Sequence, residues 1–177
     1  MALIDLRQER QASARARLSV IDSLMPSVER GRSPRCQFER NILYAEILIA
    51  QDSLAKAIRM CDDAEVPATP SFSSQNMANF NLPILRDTRA RAYVKLGERD
   101  LGVAEYERIV RFDSASGDHR IPWPKDRYAL ARLHEDNGDL VKAKEQYRRF
   151  LVSWKNADKD LPEIAEAKRK LAQLEKQ

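Results

Sequence analysis

The chain of 177 residues reads as all-α: a solenoid of antiparallel helix hairpins closed by a C-terminal capping helix. Three observations predict this. A segment repeats itself 41 residues later, so that Arg86, Ala90, Arg91, Gly97, Tyr106 and Arg108 recur as Arg127, Ala131, Arg132, Gly138, Tyr147 and Arg149. Between those matches the substitutions keep character, with His134 in the place of Tyr93, Ala143 for Gly102, Phe150 for Ile109 and Leu151 for Val110. A fixed period of about 20–50 residues marks an architecture of hairpins, none of which buries its apolar face alone. Finally, 43% hydrophobic and 33% charged residues with only 5 Gly suit helices with solvated outer faces rather than a β-sandwich.

The elements follow in order. Residues 1–30 form a partial repeat, mainly its second helix, with Ala12, Ala14, Ala16, Leu18 and Ile21 on it and only Ala2 to Gln8 left for a first helix. The array is expected to start in mid-repeat, either as a fragment of a longer chain, the favoured reading, or with an unusually short N-terminus. The first full repeat spans 34–66, its hairpin running from Phe38 to about Glu65. Ile42, Leu43, Ala45, Ile47, Leu48 and Ile49 make its first helix densely apolar, and Gln51, Asp52 and Ser53 form a turn able to cap the next helix. Leu54, Ala57, Ile58 and Cys61 then lie at helical spacing on one face.

The second repeat spans 82–112, with Pro83 in the first turn and Gly97 in the left-handed position that ends the helix. Val103, Tyr106, Ile109 and Val110 form its second stripe. The third repeat, 124–155, copies this plan with Tyr128, Leu130, Ala131 and Leu133, a turn at Asn137, Gly138 and Asp139, then Leu140, Ala143, Tyr147, Phe150 and Leu151. A capping helix over 161–177 carries Ile164, Ala167, Leu171 and Leu174 on one side and charges on the other, the polar outer face a solenoid end requires. The long connections 66–81 and 113–123 hold the apolar residues Phe72, Met77, Phe80 and Trp123, which points to packing against the array.

Charge and cysteine content exclude several classes. The net charge is only +4, with Lys and Arg interleaved among Asp and Glu, which is a solvated helical surface and not a nucleic-acid footprint. Cys36 and Cys61 form no CxxC and have no His at metal spacing, so a reducing compartment is expected. No apolar run approaches the ~18 residues of a membrane span. The start MALIDLRQER carries Asp5 and lacks the basic lead of a signal peptide, leaving the cytoplasm as the expected location.

Aligned on its small, turn and aromatic positions, the chain resembles the tetratricopeptide repeat (TPR) family. The third repeat supplies Ala131, His134, Gly138, Ala143 and Tyr147; the second supplies Ala90, Tyr93, Gly97, Gly102 and Tyr106. The first offers Ala45, Leu48, Asp52, Ala57 and Cys61, losing the Gly and the aromatic. The spacing of 41–45 residues exceeds the family's, which is about 34, and the family's Trp position near Arg86 and Arg127 is missing. The resemblance implies a right-handed solenoid whose first helices line a concave, partner-binding face. The ending SWKNADKDLPEIAEAKRKLAQLEK resembles tails of bacterial multi-domain proteins, where such repeats follow a kinase, cyclase or winged-helix module. That implies a regulatory C-terminal tail as an alternative role.

Catalysis finds no support. His134 occupies a packing slot between helices, and His119 lies in a loop facing solvent. The acid pairs Asp62/Asp63 and Asp158/Asp160 suit helix ends better than a cation, and no phosphate loop or activated nucleophile is present. No enzyme activity, metal or cofactor is therefore expected. What the resemblance implies is a non-catalytic interaction module with groove residues Ile42 and Glu46, Asp87, Arg91, Val94 and Lys95, and Tyr128 and Arg132. Glu39, Ile49, Glu135 and Asp136 complete the same face. Arg91 and Arg132, at one position in successive repeats, would pair with carboxylates of an acidic partner. Asp87 and Tyr128 stand where a Lys clamp for a C-terminal carboxylate would be needed, so a chaperone-tail receptor is not expected. Self-assembly through Trp123, Trp154 or the N-terminal helix is the alternative to partner binding.

Overall fold

The computed structural model describes residues 10–29, 34–64, 83–111, 124–156 and 161–176. Among these every regular element is a helix: α1 (Gln11–Glu29), α2 (Pro34–Ala50), α3 (Leu54–Ala64), α4 (Pro83–Leu96), α5 (Arg99–Val110), α6 (Pro124–Asp136), α7 (Leu140–Ser153) and α8 (Pro162–Leu174). The connections 66–81 and 113–123, with His119 and Trp123, lie outside the described residues, as do Ala2 to Gln8 and Asp158/Asp160. The chain divides into two compact units, Met1–Glu98 and Arg99–Gln177, the boundary falling just after the Gly97 turn.

In the first unit α2 packs most extensively on α3, and both pack on α4, while α1 packs on α2. The density of apolar residues in α2 follows from this, since a helix with neighbours on two sides is apolar nearly all round. Ile42, Ala45, Leu48 and Ile49 join Ala57, Cys61 and Ala64 of α3 and Leu85 and Ala92 of α4. Leu43 and Ile47 face the other way, onto Ala14 and Leu18 of α1. The helix begins at Pro34, four residues before Phe38, because proline suits a first turn whose N–H groups lack intrahelical acceptors.

In the second unit α7 packs on α6 and α8, and α5 packs on α6. Tyr128, Ala131, Ala143, Tyr147, Phe150, Ile164, Ala167 and Leu174 form its core. Tyr128 sits 5.4 Å from Phe150 and 6.2 Å from Tyr147 between ring centroids, and Trp154 lies 5.5 Å from Phe150. Trp154, offered above as a self-assembly anchor, is thus half-buried on its own core.

One helix stop serves three hairpins. The amide of Glu98 donates to the Tyr93 carbonyl at 2.9 Å and that of Asp139 to His134 at 2.8 Å, closing six-residue caps around Gly97 (φ 94°) and Gly138 (φ 79°). The first hairpin has no Gly, yet Asp52 takes φ 59° and the Ser53 amide donates to the Leu48 carbonyl at 2.8 Å. Aspartate is among the few L-residues that tolerate this region. The small residues behind the stop, Ala57, Gly102 and Ala143, are all buried, as are Ala45, Ala90 and Ala131 before it.

Candidate partner-binding faces

Within the first unit, the face of α2 and α4 is built on a charged network. Thr88 and Arg91 of α4 reach Glu46 of α2. The Thr88 hydroxyl donates to Glu46 Oε1 at 2.7 Å, Arg91 Nη1 donates to Oε2 at 3.1 Å, and Arg91 Nη2 donates to Oε1. Arg91 Nε donates to Asp87 Oδ2 at 2.9 Å, one turn back. Burial opposes the charge on Arg91, but the Glu46 and Asp87 carboxylates outweigh it and hold the guanidinium firmly protonated. Glu46 keeps only 16% side-chain exposure and Arg91 39%. Arg91, expected to meet carboxylates of an acidic partner, thus finds them within the unit and cross-links two helices. Ile42 is 3% exposed and belongs to the core, so it offers no groove contact. Val94 is half-buried, and Lys95 and Glu39 are exposed. A second cross-link, absent from the expected set, joins Arg89 (5% exposed) to Asp62 of α3 at 3.0 Å.

Within the second unit, α8 reaches the equivalent face of α6 through its side chains. Lys125 donates to Glu163 at 2.6 Å, and Lys170 donates to Glu135 at 2.6 Å. Glu135 also accepts from the Tyr147 hydroxyl at 2.8 Å. Burial works against its charge, but Lys170 and Tyr147 hold its carboxyl below the ordinary range. Tyr128 is 9% exposed, packed among the aromatics instead of lining a groove. Burial and then the Glu166 carboxylate push its phenol up to about 12, with Arg132 opposing them. Of the expected contacts on α6, Arg132 and Asp136 are exposed. Arg132 has no close carboxylate pair like that of Arg91 among the described residues, but it interacts with the Tyr128 hydroxyl and, at longer range, with the Glu135 carboxylate.

Two groups with possible chemistry are packed away. His134 is 3% exposed with Nε2 3.9 Å from Glu107 Oε1, and burial, then Lys142, lowers its pKa. Burial pushes the free Cys61 thiol up to about 12, which suppresses the reactive thiolate. Among the described residues no group of three or more metal-binding side chains comes together, and no helix is long and apolar enough to cross a membrane.

No family model and no curated protein sequence matches the chain. Solved structures do. A thermophilic TPR protein of Thermus thermophilus is similar at 22% identity, over 97% of this chain and 78% of that one, with a TM-score of 0.64. The nearly identical TPR-like repeats of a putative kinesin light chain from Podospora anserina are similar at 15% identity, over 99% and 82%, with a TM-score of 0.65. Identities this low speak to fold alone, and on fold they agree with the repeated small, turn and aromatic positions: the chain has a TPR-like α-solenoid fold.

Proposed function

We propose that this chain is a non-catalytic protein-interaction module, holding a peptide or partner protein against the exposed face of its first helices, with Arg132 as the leading contact for an acidic segment. The contrast between equivalent arginines carries this reading. Arg91 has Glu46 and Asp87 as internal counterions. Arg132 has Tyr128 one turn back where Arg91 has Asp87, and it is exposed. Its guanidinium engages the Tyr128 hydroxyl and lies in the field of Glu135, yet without a close carboxylate pair its exposed donors remain for a partner's carboxylate. Lys95 is an exposed cation at the end of α4 in the first unit, with half-buried Val94 beside it. Such rim charges govern register and association rate more than affinity.

The test is an array of short synthetic peptides graded in charge, probed with wild type, Arg132→Glu and Lys95→Glu. Retention of acidic peptides that falls in Arg132→Glu at unchanged melting temperature supports the reading. Equal retention of acidic and neutral peptides, or acidic binding indifferent to Arg132→Glu, overturns it.

A further inference from the structure

The outer face of α3 carries a stripe of exposed charges beside Met60, which is half-buried against the edge of the core. Leu54, Ala57, Cys61 and Ala64 are buried on one side. Lys56, Arg59, Met60 and Asp63 recur on the other at i, i+3, i+4 and i+7, with all three charges exposed. Together with Tyr44 and Leu48 of α2 and with Asp62, they line an open concavity of about 540 Å³.

The order of charges on this helix is unfavourable for the helix itself. The N-terminal end of a helix carries a partial positive charge and the C-terminal end a partial negative one. Here Lys56 stands in the first turn, and Asp62 and Asp63 stand in the last. Asp62 is accounted for by its bond to Arg89. Lys56, Arg59 and Asp63 make no ion pair among the described residues. A stripe with cations at one end, an anion at the other and a soft apolar residue between them is complementary to itself in antiparallel register.

We infer that this face docks a second copy of the chain, α3 against α3, about a two-fold axis between Arg59 and Met60. That register sets Lys56 opposite Asp63 of the second copy, and symmetry repeats the contact. It also brings an acid to each positive helix end and a base to each negative one, reversing the mismatch of the lone helix. Met60, an adaptable thioether side chain, and the aliphatic stem of Arg59 then lie over the Tyr44 and Leu48 floor of the second copy. A parallel pairing would oppose all three charges with their like, whereas the antiparallel register brings only Arg59 near its own copy, at the axis. At 1.5 Å per residue, α3 is about 16 Å long, so the contact is smaller than the ~1,200–2,000 Å² of standard interfaces and the dimer is a dissociating one.

Sedimentation velocity over a concentration series tests this with wild type, Lys56→Glu, Asp63→Lys and an equimolar mixture of the two variants. Wild type should associate reversibly, and each variant, now facing like charge across the axis, should raise the dimer dissociation constant about tenfold or more. The mixture should restore association, because Glu at 56 then faces Lys at 63 in the other chain and the second pair is again Lys56 with Asp63. Lys56→Gln and Asp63→Asn provide milder variants, and circular dichroism confirms folding in each case. A wild type that stays monomeric throughout, variants that associate as wild type does, or a mixture that fails to recover overturns the inference.

Discussion

A left-handed backbone position costs an L-residue roughly 1–2 kcal/mol, with Asp and Asn at the lenient end. Asp52 bears that cost at φ 59° while Gly97 and Gly138 avoid it. Asp52→Gly should therefore stabilise the first hairpin by about 0.5–1 kcal/mol after the entropy of a freer unfolded chain is subtracted. Gly138→Ala should destabilise by about 1 kcal/mol from backbone strain, because nothing lies within 4 Å of the added methyl. Chemical denaturation of both variants decides it, and shifts of the same sign would refute the shared stop. Acid sensitivity also belongs to single residues. The pKa of His134 is depressed below 6.5 in the fold, so the unfolded chain binds the proton more readily and stability falls as pH drops through 6.5 towards the folded value. Glu135 is depressed from 4.5, so its contribution is intact above that value and is lost as pH falls below it. Unfolding midpoints against pH should show the upper step vanish in His134→Gln and the lower step shrink in Glu135→Gln.

At the scale of helices, the network of Arg91, Glu46, Asp87 and Thr88 makes α2 and α4 one framework. Hydrogen bonds to charged groups contribute about 1.5–3 kcal/mol; with Arg91 39% exposed, solvent screening reduces this. Arg91→Ala should cost about 1 kcal/mol, and a double-mutant cycle with Glu46→Ala should return positive coupling. Additive losses would leave the pair without structural weight. This network shows where legibility in sequence ended. Ala45, Ala90 and Ala131, with their turns and following small residues, were readable because spacing within one hairpin fixes them. Glu46 and Arg91 were both visible as polar residues on one face, but their pairing lies 45 positions apart across two repeats, where no local spacing rule reaches. Ile42 and Tyr128 mark the same limit. Repeat position identified their helix, whereas a bulky apolar side chain beside a neighbouring helix turns into the core. The charges at Lys125, Glu135, Glu163 and Lys170 were equally legible one by one, and only the placement of α8 beside α6 makes them a ladder.

For the whole molecule, each unit carries its own buried cluster: Phe38, Ile42 and Leu85 among the residues of the first, Tyr147, Phe150 and Ile164 among those of the second. Repeat proteins store stability as local terms plus nearest-neighbour terms, so a loss in one region need not spread evenly through the chain. Ile42→Val and Ile164→Val remove the same methylene from sites 3% and 7% exposed, each at about 0.5–1.5 kcal/mol. Native-state hydrogen exchange should report the first loss mainly in amides of α2, α3 and α4. It should report the second mainly in α6, α7 and α8, because local opening free energies follow the cooperative unit that contains the change. Equal loss of protection throughout the chain in both variants would mean a single cooperative unit, and the division after Glu98 would then describe packing density without describing how stability is distributed.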